Sequence, residues 1–305
     1  MLITGAKEVL DLMPERYSFG LLGYPLEHSL SPLIHATALQ AHGLRGEYRL
    51  FPVKDERGIP KLIKQLREGS LQGLNVTIPY KSSVIELMDE LTLTARTIGA
   101  VNTISLQGNK VIGENTDASG FLADLGGLDW FPEPDNTRHA LILGAGGSAR
   151  AIAYALFKEK WRLIIAARRH GQGEKLAQSL ATIHSAEEGQ MSAEGIHWDH
   201  EALSEITPAP HLIVNTTPLG MSPYEHESPW PADLALPPNA AVYDLVYNPV
   251  ETQFTRAARA AGLRAASGIG MLVEQAALSF EIWTGLPAPR QEMHAALAAH
   301  STGEK

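Results

Sequence analysis

One stretch constrains the fold of this chain more than any other: HALILGAGGSARAIAYALFKEKWRLIIAA, residues 139–167. The apolar run Ala140–Leu143 reads as a strand, a glycine-rich turn follows, and a helical pattern then runs to about Lys158 before a second apolar run. The turn, Gly144-Ala145-Gly146-Gly147-Ser148-Ala149, fits G-x-G-x-x-A in the strand–turn–helix setting that the pattern requires. Gly144 permits the tight turn, Gly146 leaves room for backbone to approach a pyrophosphate, and Ala149 lets the helix pack on the strand. The free N–H groups and positive dipole end of the helix, with Ala145, Gly147 and Ser148 around them, suit phosphates. The competing reading is a plain strand-to-helix turn, because glycine-rich turns alone are common.

The strand after the helix, RLIIAA, should end near the adenosine ribose of a bound dinucleotide. An NAD site usually has Asp or Glu there for the 2′-hydroxyl. This chain has Ala167-Arg168-Arg169. Two guanidiniums can pair with a 2′-phosphate, and no acid is present to repel it. NADP (NADPH) is therefore favoured over NAD, against the alternative of two plain surface arginines.

At 305 residues the chain is longer than one core usually serves, so two domains are expected. The first third alternates strand and helix patterns: YSFGLLGYP, then SPLIHATALQAHGL with Ser31 as N-cap and Pro32 at its first position, then EYRLFPV, IPKLIKQLREGS and LQGLNVTIP. That order predicts a largely parallel sheet. A helix around SSVIELMDELT, a hairpin-like piece turning near Gly108-Asn109 and the helix SGFLADLGGL follow. FPEPDNTRH reads as a linker, and HSTGEK as a short tail. Beyond the dinucleotide unit, HLIVNTT and AAVYDLVY read as strands, and ETQFTRAARAAGL and the apolar GMLVEQAALSFEIWTG as helices.

Composition excludes several function classes. A net charge of −9 with no basic stripe argues against nucleic acid. With no cysteine there is no disulfide or thiolate chemistry. The first twenty residues lack a basic segment followed by an apolar one, and no apolar run approaches membrane length, so no signal peptide or membrane association is expected and the location reads as cytoplasmic. The histidines form no zinc-binding pattern. His28, His35 and the Glu-His-Glu at 225–227 read as surface or loop groups, and no metal is expected.

One lysine stands out. In NVTIPYK the strand pattern stops at Pro79, and Lys81 lies just beyond it, close to the hydrogen-bonding side chains of Asn75 and Thr77. By itself it reads as a solvated charge, as Asp117 before Ala-Ser-Gly reads as a helix N-cap.

Taken in order, the motifs resemble those of the shikimate/quinate dehydrogenase family over nearly the whole chain after residue 17. They are Ser29-Leu30-Ser31-Pro32, Asn75 through Lys81, Gly99-Ala100-Val101-Asn102-Thr103, Asn115-Thr116-Asp117-Ala118-Ser119-Gly120, GAGGSAR, Asn215 through Met221, Tyr247-Asn248-Pro249 and GMLVEQAALSFEIWTG. The resemblance implies an α/β fold of two domains. A substrate domain would span 1–117 and an NADP-binding Rossmann domain 118–266, with 267–305 returning as helices onto the substrate domain.

The resemblance also implies roles. Ser29 and Ser31 would hold the substrate carboxylate. Asn75, Thr77, Asn102, Asp117 and Gln275 would bond the ring hydroxyls, with Tyr247 at the border. Lys81 and Asp117 would be the catalytic pair. Thr216, Met221 and Gly268 would join the turn residues and the two arginines at the cofactor. The implied function is NADP-dependent reduction of 3-dehydroshikimate to shikimate in aromatic amino-acid (chorismate) biosynthesis, with a small-molecule substrate and either a monomer or a homodimer.

A quinate/shikimate dehydrogenase of broader substrate and cofactor range is the close alternative. The Ser29/Ser31 pair tilts against it, since a smaller first residue would better admit the extra hydroxyl of quinate. A non-catalytic NADP-sensing protein on the same scaffold is a rival from another class, disfavoured by the presence of both Lys81 and Asp117. Two departures are visible: Gln172 stands where some members have a second basic residue, and Ala167 where asparagine is common.

Overall fold

The structure, a computed structural model, describes residues 14–131, 137–169, 171–182 and 192–302. Most of the first stretch before β1, the centre of the FPEPDNTRH linker and the end of the HSTGEK tail lie outside the described residues.

The amino-terminal elements are β1 (Tyr17–Gly23), α1 (Ser31–Ala41), β2 (Gly46–Pro52), α2 (Ile59–Arg67), β3 (Gly73–Val76), β4 (Glu90–Leu91), α3 (Leu93–Ile98), β5 (Thr103–Gln107) and β6 (Lys110–Glu114). They build a sheet in the order β2-β1-β3-β5-β6-β4. β1 runs parallel to both β2 and β3. Its near-complete burial explains the unbroken apolar run, because helices cover both faces of such strands. β5 and β6 form the expected antiparallel hairpin, closing on the pair Gln107 and Lys110 with Gly108 at φ +60°.

Two local expectations fail here. The helix expected around SSVIELMDELT is a short 3₁₀ turn, Ser83–Leu87, followed by β4. The backbone N–H groups of Asp89 and Thr92 donate across to Val111 and Gly113, and the Asp89 carboxylate accepts from the Val111 N–H at 2.7 Å, so the edge of β6 captures this stretch. Ser31 is not the N-cap. It is the first residue of α1, and its N–H donates to Ser29 Oγ at 3.3 Å.

α4 (Asp117–Gly127) leads out of this sheet into a second one. That sheet contains β7 (His139–Leu143), β8 (Arg162–Ala167), β9 (Ala193–His197), β10 (Leu212–Asn215), β11 (Ala241–Asp244) and β12 (Arg264–Ser267) in the order β12-β11-β10-β7-β8-β9, all parallel. The strand order reverses between β7 and β10, which is the switch point where ligands enter doubly wound sheets. α5 (Gly147–Lys158), α6 (Gln172–Ala181), α7 (His200–Ser204) and α8 (Gln253–Ala260) connect the strands. β9 and β12 escape the sequence reading because they are half-exposed edge strands whose residues, AEGIH and RAAS, carry little apolar signal.

The chain then returns as α9 (Ile269–Thr284) and α10 (Arg290–Thr302). Leu272, Val273, Ala276 and Phe280 of α9 pack with Phe19, Ile34 and Tyr48 of the first unit, as do Met293 and Leu297 of α10. Met271, in contrast, joins the core of the second sheet. α9 thus touches both units. Glycines allow the approach: a Cβ at Gly120 would lie 2.7 Å from the Gln275 nitrogen, and one at Gly73 would lie 2.3 Å from the Trp283 ring. Among the described residues no helix is long and apolar enough to cross a membrane.

His35 corrects a further expectation: it is wholly buried on α1, not a surface group. Its ring stacks on Tyr48 at 4.4 Å with a 3° tilt, and neither ring nitrogen has a hydrogen-bond partner among the described residues. Burial lowers its pKa to about 3, with Asn75 as a weaker opposing influence. The native state therefore stays neutral while the unfolded chain takes up a proton below 6.5, so stability falls as pH drops through that window. Asp244 works in the opposite sense: burial raises it to about 6, so the folded protein keeps a proton that the unfolded chain releases above 3.8. His35→Phe, which retains the stack, should lose about 2–3 kcal/mol less than the unmutated protein when urea stability is compared at about pH 7 and pH 4.5. Asp244 is common to both proteins and cancels. Parallel pH curves would show that His35 carries no proton linkage.

Candidate active site

Between the two sheets lies a cleft of about 520 Å³. From the first unit, Ser29, Ser31, Asn75, Thr77, Lys81, Asn102 and Asp117 line it. From the second unit and α9 come Ser148, Thr216, Met221, Tyr247, Gly268 and Gln275. The structure therefore brings together every substrate-side residue expected from the sequence.

At the centre is an ion pair. Lys81 Nζ donates to Asp117 Oδ2 at 2.6 Å, with side chains only 11% and 5% exposed. The chain after β3 carries Lys81, and the Lys81 carbonyl accepts from the Val101 N–H at 2.6 Å, which fixes the backbone beneath it. Asp117 is the first residue of α4, yet its carboxylate does not cap that helix. Asn115 Oδ1 accepts the Ala118 N–H instead, leaving Asp117 free to turn sideways. Its other oxygen, Oδ1, accepts from Asn102 Nδ2 at 2.8 Å.

Asn102 is locked in turn. Its Oδ1 accepts the Thr116 N–H at 2.7 Å, which leaves Nδ2 facing Asp117, Thr116 Oγ1 and, at 3.4 Å, Gln275 Oε1. Asn75 lies one strand away. Tyr48 OH donates to its Oδ1 at 2.9 Å, and its Nδ2 reaches the Asn102 carbonyl, Thr103 Oγ1 and Ser279 Oγ. The amide hydrogens of Asn75 are committed to protein acceptors, so what it offers the cleft is acceptor capacity on Oδ1. Burial raises the Tyr247 phenol above its usual pKa, a hydrogen bond with Ser29 opposing in part, so the phenol is a neutral donor at the border.

The β7–α5 turn fits a dinucleotide. Gly144 sits at φ +120°, and a Cβ there would lie 2.4 Å from Thr216 Oγ1. That hydroxyl donates to the Leu143 carbonyl at 2.7 Å, pinning the end of β10 to the end of β7. Gly146 differs: a Cβ there would meet nothing within 4 Å among the described residues, which leaves room above the turn. Among the described residues no side chain caps α5, whose first N–H groups are available to an anion. Ala149 is buried in the core, while Ala145 and Gly147 complete the turn. Arg168 and Arg169 follow the end of β8 and are exposed, with no ion-pair partner among the described residues. Gln172 opens α6 and extends no basic patch.

The sequence reading gave no role to several groups that hold this site. Thr103 and Thr116 lie inside motifs already singled out, next to Asn102 and Asp117, and their hydroxyls join the network. Ser279 bonds Asn75 and Thr103; its place one helical turn after Gln275 was the available clue. Asp244, fully buried, accepts from Asn215 Nδ2 at 2.8 Å and from Thr252 Oγ1 at 2.7 Å. Asn215 in turn accepts from the N–H and hydroxyl of Thr217, which shapes the 216–221 loop at the cleft.

Comparison with known proteins places this geometry in a family. Residues 21–104 match the profile described as shikimate dehydrogenase substrate binding domain, and residues 268–298 that of the shikimate 5'-dehydrogenase C-terminal domain. The chain is 41% identical to a shikimate dehydrogenase (NADP(+)) of Carboxydothermus hydrogenoformans, over 91% of this chain and 95% of that protein. It belongs to the shikimate dehydrogenase family. A second relative, shikimate dehydrogenase (NADP(+)) of Methanopyrus kandleri, is 40% identical over 92% of this chain and 94% of its own. The crystal structure of shikimate 5-dehydrogenase from Thermus thermophilus in complex with NADP(H) and shikimate superposes with a TM-score of 0.79 at 34% identity, covering 92% of this chain and 98% of that one.

Within this shikimate dehydrogenase fold, Asn102 is the joint between the ion pair and the sheet. Asn102→Ala strips Asp117 Oδ1 and the Thr116 N–H of buried partners. It should cost about 2–4 kcal/mol in urea unfolding, since each buried group left unpaired costs about 1–3 kcal/mol. A loss under about 0.5 kcal/mol would show that the amide supports nothing.

Proposed function

We propose that this chain catalyses the NADP-dependent interconversion of 3-dehydroshikimate and shikimate, a step of aromatic amino-acid (chorismate) biosynthesis, in the cytoplasm. The observation that carries the reading is the Lys81–Asp117 pair, buried in the cleft between the two sheets beside a dinucleotide-type turn. The names of the relatives, and the shikimate and NADP(H) bound in the Thermus thermophilus protein, support the same substrate and cofactor.

When bound, the nicotinamide supplies or accepts the hydride. The chain's own residues manage the rest. Ser29, just before α1, and Ser31, its first residue, would take the substrate carboxylate; two hydroxyls beside a helix N-terminus in the cleft lining support that role. Thr77, Asn102, Gln275 and the free acceptor capacity of Asn75 surround the ring hydroxyls. Lys81 as an ammonium gives its proton to the carbonyl oxygen during reduction and stabilises the developing negative charge. In the oxidation direction the neutral amine takes the hydroxyl proton. Asp117 holds Lys81 with one oxygen, and its other oxygen is held by Asn102, so the carboxylate that pairs with the lysine is itself fixed.

Cofactor preference rests on Arg168 and Arg169. Both are exposed, so salt screening reduces the gain from pairing with a 2′-phosphate, and Gln172 offers no third charge. A clear but moderate preference for NADP follows.

A spectrophotometric assay of the four combinations of shikimate or quinate with NADP+ or NAD+ tests the reading. Shikimate with NADP+ should give the highest kcat/KM, and Arg168→Ala should weaken NADP+ binding about tenfold while moving NAD+ much less. Higher ionic strength should narrow the difference between the cofactors. Quinate turning over as fast as shikimate would move the chain to the broader quinate-using reading, and equal affinity for both cofactors would refute the role of the arginines.

A further inference from the structure

We infer that Ser148 is a positioning residue for Lys81, so that the cofactor turn and the proton-transfer lysine act as one mechanical unit; this rests on the function proposed above. Ser148 lies in the first turn of α5, inside the glycine-rich segment, where the sequence motif gives it only a place beside phosphates. The structure gives it a different neighbour. Lys81 Nζ donates to Ser148 Oγ at 3.2 Å.

An ammonium has three hydrogens. Asp117 takes one at 2.6 Å and Ser148 a second, which leaves one for the substrate oxygen. The two acceptors come from different units, Asp117 from the start of α4 and Ser148 from the start of α5. Lysine is a point charge on a flexible stem with no orientation of its own. One acceptor would fix its distance but leave its direction loose, and a second across the cleft fixes the direction.

A second contact points the same way. A Cβ on Gly147 would lie 3.0 Å from Lys81 Cβ and 3.3 Å from Cδ. The backbone of the turn therefore lies against the stem of the lysine while the hydroxyl of the next residue holds its head. The turn therefore meets Lys81 at two points, the stem and Nζ. The turn that is built to grip a dinucleotide thus also sets the group that handles the proton.

The alternative is that Ser148 serves only the cofactor. Purified full-length protein, Ser148→Ala and Ser148→Thr distinguish the two by steady-state oxidation of shikimate with NADP+, together with direct fluorescence titration of NADP+. Ser148→Ala should lose about 5- to 30-fold in kcat, with the KM for shikimate and the Kd for NADP+ each moving less than about threefold. Ser148→Thr keeps the hydroxyl and should return kcat to within about threefold of the unmutated protein. An unchanged kcat in Ser148→Ala, a loss that falls wholly on NADP+ affinity, or a threonine variant as slow as the alanine one would each overturn the inference. Those results leave the proposed activity standing. Absence of turnover in the unmutated chain would overturn the activity and this inference together.

Discussion

The site is organised around one buried carboxylate. Asp117 gives one oxygen to Lys81 and the other to Asn102, so neither lone-pair set is left without a donor. A buried ion pair is poor evidence of stability, because desolvating two charges offsets most of their attraction. It persists only where every remaining polar group is satisfied. Asn102, Thr103, Thr116 and Ser279 meet that condition, forming a polar chain that links β5, the start of α4 and α9. A chain with many neutral partners holds the pair by geometry, which is what the proton transfer proposed for Lys81 needs and a surface ion pair could not provide.

That polar chain depends on how closely three helices and two sheets approach. Gly120 lets α4 contact the backbone of α9 at Gln275, and Gly147 lets the start of α5 lie on Lys81. Gly268 allows the strand-to-helix crossing beside Leu245, where a Cβ would lie 2.2 Å from the Leu245 carbonyl oxygen. On the other side, Asp244 anchors Asn215, and Asn215 shapes the Thr216–Met221 loop that faces the same cleft. The two walls of the cleft are therefore held by two networks, and Lys81 and α9 lie where the walls meet.

Much of this was legible in the sequence, for identifiable reasons. The dinucleotide turn could be read from Gly144 and Gly146 because the backbone there admits no side chain or leaves open space above it. Buried parallel strands such as β7 and β8 announced themselves as apolar runs, whereas the edge strands β9 and β12 did not. Expectations based on local capping fail at Ser31, where the helix starts one residue early with Leu30 as N-cap, and at Asp117, whose carboxylate goes to Lys81 and Asn102. The burial of His35 is not legible in the sequence, because nothing local records that helix α1 turns that position against Tyr48. The positions of Tyr48 and Asp244 beneath the site come from chain segments far apart in sequence, so no spacing rule exposes them.

The central claim is that Lys81 and Asp117 work as a single unit, and a double-mutant cycle on kcat for shikimate oxidation measures it directly. Lys81→Ala should lower kcat by about 10²–10⁴ in a folded protein, and Asp117→Asn should also slow it. With Lys81 already gone, the further loss from Asp117→Asn should be less than about fivefold, because little remains for the carboxylate to orient. Near-normal turnover in folded Lys81→Ala, or losses that multiply fully in the double variant, would contradict the account.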